Sequence, residues 1–118
     1  MNGKVTGLGG VFFRARDPDG LKAWYTQHLN LPDAVFSNPA ATLVWGAFHE
    51  DTDYFGPSGQ QWMLNYRVDD LDALLARLRA EGVEVDERTQ DQEGVGRFAW
   101  AVDPDGNRFE LWEPAEGM

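Results

Sequence analysis

The sequence predicts an α+β domain of two βαβββ modules whose sheets curve together into a cup with the helices outside. Three observations predict it. The order strand, helix, several strands occurs twice along the chain. Sliding the chain by 53 positions lays Phe13 on Tyr66, Arg14 on Arg67, Asp17 on Asp70, Asp19 on Asp72, Leu21 on Leu74 and Ala23 on Ala76. The length of 118 residues suits one domain spanning 1–118, with module one at about 5–56 and module two at about 60–114. A single module leaves a half-covered sheet, whereas two can close into one curved sheet, burying what either alone exposes.

The elements follow in order. Leu8 to Arg16, centred on Val11, Phe12 and Phe13, reads as the first strand. Asp17-Pro18-Asp19 then has the chemistry of a helix start: a capping carboxylate, proline at the first helical position and an acid in the first turn. Leu21, Trp24, Tyr25, His28 and Leu29 continue at helical spacing, and Asn30 is a left-handed stop ahead of Pro32. Ala34 to Phe48 is strand-like, broken near Asn38-Pro39. A polar stretch, His49 to Asp53, leads through Tyr54-Phe55 to the turn residues Gly56-Pro57-Ser58-Gly59.

The second module opens with a strand from Gln61 to Val68, and Asp69-Asp70 caps a helix whose stripe is Leu71, Leu74, Leu75 and Leu78, ended by Gly82. Val83-Glu84-Val85 starts a strand, and the charged segment Asp86 to Glu93 is a loop or a solvated strand edge. Arg97–Val102 and Asn107–Trp112 form a hairpin about Asp103-Pro104-Asp105-Gly106. If it pairs symmetrically about those four residues, Trp100 packs under a helix and Trp112 shares the cup face with Glu110. Strand side chains alternate, so a helix over Val11, Phe13 and Ala15 leaves Gly10, Phe12 and Arg14 inward. By the repeat, Met63, Asn65 and Arg67 also face the cup.

Composition excludes several classes. The chain has no cysteine, which removes disulfides, thiolate metal sites and cysteine nucleophiles. Ten basic and twenty acidic residues give a formal charge of −10, a surface that repels nucleic acid and anionic membranes. No apolar run approaches a membrane span. Met1 to Gly7 lacks the apolar stretch of a secretion signal, so a cytoplasmic location is expected. Gly7-Leu8-Gly9-Gly10 precedes a strand rather than following one, the wrong context for cradling phosphate.

Three segments in this order resemble the vicinal oxygen chelate superfamily, which holds glyoxalases, bleomycin-resistance proteins and extradiol dioxygenases. They are Gly10-Val11-Phe12-Phe13-Arg14-Ala15-Arg16-Asp17-Pro18 with Trp24-Tyr25, then Tyr66 to Leu74, then Val102 to Trp112. The resemblance covers about Val5 to Pro114 and implies the cup fold and a homodimer. It also implies metal-ligand positions on inward strand faces, usually histidine, glutamine or glutamate. Here those positions are Gly10, Met63, one of Leu43, Val44, Trp45 and Gly46, and Glu110. Only Glu110 can ligate a hard cation, and catalytic zinc or non-haem iron needs three protein ligands. A divalent metal is therefore disfavoured and no cofactor is expected; the alternative is a site restored by His49 or Glu50 if their loop folds over the cup mouth.

The leading expectation is a metal-independent small-molecule binding protein of glyoxalase/bleomycin-resistance type. Its aromatic or amphipathic ligand would meet Phe12, Arg14, Trp45, Met63, Asn65, Arg67, Glu110 and Trp112. Trp45 and Trp112 are the candidate aromatic walls, or else part of a dimer seam. Arg14 and Arg67, related by the repeat, can approach across the cup with Glu110 or a substrate anion between them, or pair with surface acids. Glu110 is either a structural anchor, bonded to Arg14, Arg67 or Arg97, or a general base with a raised pKa. The alternative function is a lyase, isomerase or dioxygenase using Glu110 as base or metal ligand. A third reading is a partner-binding platform.

Overall fold

The structure, a computed structural model, describes residues 3–37 and 42–118. Strand β1 (Val5–Ala15) feeds α1 (Pro18–Leu29), followed by β2 (Val35–Ser37) and β3 (Thr42–His49). The second module runs β4 (Trp62–Val68), α2 (Leu71–Ala80), β5 (Glu84–Val85), β6 (Gln90–Gln92), β7 (Gly96–Val102) and β8 (Arg108–Pro114). These strands form one mixed sheet in the order β2-β3-β1-β4-β8-β7-β5, with β6 paired on β7. The expected break near Asn38-Pro39 lies outside the described residues.

Helix ends follow the local chemistry. Asp17 accepts from the Gly20 amide at 3.1 Å with Pro18 in the first turn, and Asn30 closes α1 in the left-handed region at φ 56°. Asp70 accepts from the Ala73 amide at 3.1 Å. At the far end of α2 the Val83 amide reaches the Leu78 carbonyl and the Gly82 amide the Arg79 carbonyl, so two otherwise orphaned carbonyls are satisfied.

The modules meet along β1 and β4, which pair antiparallel with Val11 opposite Leu64. These two residues are equivalent under the 53-residue shift, so a local twofold relates the modules through this pair. Within each module the first strand lies parallel to the last, β1 beside β3 and β4 beside β8. Among the described residues module one has no counterpart of β5. The shift places Glu84-Val85 on Leu31-Pro32, and proline has no N–H to give a ladder.

Alternation splits the interior into two layers. On one face Val68, Ala99 and Leu111 pack with Leu71, Leu74 and Leu75 of α2. On the other, Phe12, Met63 and Trp100 pack with Phe55 from the loop after β3. Among the described residues no helix is long and apolar enough to cross a membrane.

The closing hairpin departs from the symmetric register. Trp100 pairs with Glu110, and the Asp103 amide donates to the Asn107 carbonyl at 3.0 Å. Pro104-Asp105-Gly106 thus forms a three-residue loop with Gly106 at φ 87°. A one-residue change of register turns every side chain of one strand to the other face. Trp100 therefore faces the cup, while the small Ala99 lies beneath α2.

Candidate functional site

The cup holds a cavity of about 310 Å³ whose walls include Phe12, Val44, Phe98 and Trp112, with Asn65 and Glu110 on its floor. Glu110 is 1 % exposed and sits at the centre of β8. Its position follows from register: β4 and β8 run parallel with Asn65 beside Glu110, and β7 sets Trp100 on its other side. Three neutral donors converge on the carboxylate. Asn65 Nδ2 donates to Oε1 at 2.6 Å, Trp100 Nε1 donates to Oε2 at 2.9 Å, and the Tyr54 hydroxyl donates to Oε2 as well. Asn65 Oδ1 is buried without a partner.

Burial pushes the Glu110 carboxyl above the ordinary carboxylate range, and the three donated bonds together with the Arg108 charge pull the other way. Burial also raises the Tyr54 phenol, reinforced by the charge of Glu110 and by its hydrogen bond to it, so Tyr54 keeps its proton and donates. Tyr54 itself stacks on Phe48, with ring centroids 5.1 Å apart.

The arginines are committed elsewhere. Arg14 donates from Nε to the Gln60 carbonyl and from Nη1 to the Glu50 and Thr52 carbonyls, each at 2.8 Å. Arg67 donates to the Thr42 and Met118 carbonyls, each at 2.9 Å. Each guanidinium lies 5.1 Å over a ring, Arg14 on Phe55 and Arg67 on Trp112. The expected approach of Arg14 to Arg67 with an anion between does not occur. Antiparallel pairing sends these repeat equivalents to opposite ends of β1–β4, where each ties down its own stretch of rim. Arg97 binds Asp72 and Asp91, so none of the three arginines expected at Glu110 bonds it.

Of the candidate ligand contacts, Phe12, Asn65, Glu110 and Trp112 line the cavity. Met63 is buried beside it among Phe12, Phe55 and Trp100. Trp45 does not line it: paired with Val11, it lies on the α1 face, stacks on Phe13, meets Tyr25 edge-on and donates to the Pro32 carbonyl at 3.2 Å. Val44, its neighbour in the chain, takes the inward place. Sequence reasoning missed Tyr54 and Trp100 as partners of Glu110. The aromatic pair Tyr54-Phe55 after a polar loop was the available signal for the first, and hairpin loop length for the second.

The residues at the ligand positions do not fit a divalent cation. Gly10 has no side chain, and a Cβ there would lie 2.1 Å from the Val44 carbonyl oxygen, so β1 and β3 leave no room for one. Gly46 has none either, and Met63 lies in the apolar cluster. His49 is exposed and turned to Asp51. Among the described residues no three His, Cys, Asp or Glu side chains converge.

A duplicated module closed into a cup is the architecture of vicinal oxygen chelate proteins. The chain belongs to the Glyoxalase/Bleomycin resistance protein/Dioxygenase superfamily, whose family model matches residues 7–111. It is 33 % identical over 107 residues to the anthracycline biosynthesis protein DnrV of Streptomyces peucetius, covering 79 % of this chain and 39 % of that one. It is also 41 % identical over 54 residues to the putative glyoxylase CFP32 of Mycobacterium tuberculosis, covering 46 % and 21 %. The chain thus spans about two-fifths or less of the length of the curated relatives it matches. Among solved structures, methylmalonyl-CoA epimerase from M. tuberculosis superposes with a TM-score of 0.67 at 28 % identity, covering 94 % of this chain and 89 % of that one. The Streptomyces coelicolor epimerase reaches 0.72 at 16 % identity, over 95 % and 99 % of the two chains, a likeness of fold alone.

Proposed function

We propose that this protein binds a small aromatic or amphipathic molecule in the cup, without a metal ion, in a cytoplasmic setting. One observation carries the reading: a buried carboxylate, held by three donors, at the base of a largely apolar cavity of about 310 Å³. Binding pockets commonly combine apolar walls with a few placed polar groups. Metal independence is supported by the donor set, in which Glu110 stands alone. Tryptophan fluorescence tests binding, since Trp112 lines the cavity and Trp100 touches Glu110. Quenching that saturates with one member of a panel of aromatic compounds is expected, and no response to any of them overturns the reading. Metal analysis of protein purified without chelator should find no stoichiometric divalent ion. Stoichiometric metal that is lost in Glu110→Gln overturns the metal-free part.

A catalytic reading is favoured by one specific arrangement, a cavity-lining Glu110 carboxyl that burial pushes upward, beside a Tyr54 hydroxyl that donates to it. A buried carboxylate of that kind can take a proton from a carbon acid. Relatives whose names include an epimerase and a biosynthesis protein support the same direction. Glu110-dependent exchange of a bound ligand's carbon-bound hydrogen with deuterated solvent would establish it over simple binding.

We also propose that the protein is a homodimer joined through the outer face of β1–β4. Leu8, Trp62 and Leu64 are exposed there, between the helices, with Trp62 at 66 %. A second copy is the fitting occupant, because in a twofold dimer the same apolar patch is covered on both subunits at once. The curated relatives have length for a second such domain within one chain.

A further inference from the structure

We infer that the molecule taken by the cup carries a cationic N–H group, an ammonium on an aromatic or amphipathic body, and sets that group on Glu110. The inference rests on the binding function proposed above and names its ligand class. Every polar group touching Glu110 is a neutral donor: Tyr54, Asn65 and Trp100. Asn65 turns its Nδ2 to the carboxylate although this leaves its own Oδ1 buried and unpaired, so the site is wired to hold an anion. Among the described residues no cation bonds that anion. Arg14 and Arg67 are bound to backbone carbonyls at the rim, and Arg108 spends Nε on the Tyr54 carbonyl and Nη1 on Asp86.

A buried carboxylate without a bonded countercharge is costly, and a ligand that brings one recovers part of that cost. A carboxylate accepts about four hydrogen bonds, and three are filled here, leaving one on Oε1, the oxygen that Asn65 alone occupies. The cavity walls suit the same guest. Phe12, Val44, Phe98 and Trp112 give its aromatic or amphipathic body an apolar lining. An anionic ligand meets Glu110 head-on.

A matched trio on one ring system tests this: 2-(1-naphthyl)ethylamine, 2-(1-naphthyl)ethanol and 1-naphthylacetate, titrated by calorimetry in 0.5 M salt to screen the surface charge. The amine should bind at least about tenfold more tightly than the alcohol, with the acid weakest. In Glu110→Gln the preference for amine over alcohol should vanish. If that variant does not fold, the indole N–H resonances of the wild-type protein decide, and Trp100 should move on adding the amine because its acceptor is Glu110. Acid or alcohol binding as tightly as amine overturns the ligand class while leaving the binding function intact. An amine preference that leaves the Trp100 resonance unmoved overturns it too. Binding by none of the three overturns both.

Discussion

Asn65 and Glu110 are register partners on the parallel strands β4 and β8, and the carboxamide serves the carboxylate at its own expense. Nδ2 donates at 2.6 Å while Oδ1 lies buried with no donor of its own. Leaving a buried acceptor unpaired costs about 1–3 kcal/mol, and a hydrogen bond to a charged group returns a similar amount. The pair makes sense as a device that opposes the protonation which burial favours at this carboxylate.

Replacing that amide with an acid should reverse the device. In Asn65→Asp two carboxyl groups compete for one site, and they cannot both ionise cheaply. We expect a loss of about 3 kcal/mol at pH 7, the scale of an uncompensated buried charge. Much of it should return as the pH falls toward 5 and the pair takes up a proton. Urea unfolding at several pH values measures this, and a loss independent of pH would count against an ionised Glu110.

Glu110 itself gives a pH dependence of definite sign. Its folded pKa lies above the ordinary value, so the folded state holds its proton more tightly than the unfolded chain does. The stabilisation is complete below the unfolded pKa and is lost as pH rises through the folded one. The groups facing it are Tyr54, Asn65, Trp100 and the Arg108 charge. Tyr54 stays protonated throughout this window, so the change belongs to Glu110. Wild-type stability minus that of Glu110→Gln should therefore fall with rising pH, beginning in the ordinary carboxylate range. A difference that rises instead would show that the three donors outweigh burial.

Much of this was legible in the residues because local chemistry and repetition agreed. Asp17 and Asp70 cap their helices as read, and Asn30 takes the left-handed stop. The 53-residue shift extends to Val11 opposite Leu64 and to Arg14 and Arg67, each clamping a rim and covering a ring. What escaped depended on register and long-range closure. Trp100 changed face because the hairpin loop holds three residues rather than four. Trp45 went to the helix side because parallel pairing with Val11 fixes its face, which strand pattern alone does not. Tyr54 reaches Glu110 from a loop that Arg14 and Arg108 tie across the cup, a long-range closure no local pattern announces.

That loop supplies another test. Arg14 bonds three carbonyls with one planar fork, and an ammonium cannot span them while lying over Phe55. Arg14→Lys should cost about 2 kcal/mol, from lost hydrogen bonds to a charged group. The sharper expectation is local. Amide exchange at Thr52, Tyr54 and Gly56 should accelerate well beyond that in α2, and Tyr54 should loosen from Glu110. Uniform acceleration across the chain would mean that Arg14 supports the whole fold rather than this loop.

The proposed dimer would meet through the outer face of β1–β4. Trp62 and Leu64 are 66 % and 38 % exposed on β4, and Leu8 at 44 % lies on the neighbouring strand β1. Near the local twofold, a second copy would set each β4 against its mate, so every substitution acts twice at one interface. Trp62→Glu with Leu64→Lys places charge at the centre of that contact, where desolvating it is expensive, yet leaves the cup on the opposite face untouched. Sedimentation should give a dimer for the wild-type protein and a monomer for the double variant at the same micromolar concentration. Ligand binding measured by tryptophan quenching should survive, because Trp100 and Trp112 lie on the other side of the sheet. A wild-type monomer at high concentration would rule out this interface, and a double variant that remains dimeric would move the contact to another surface.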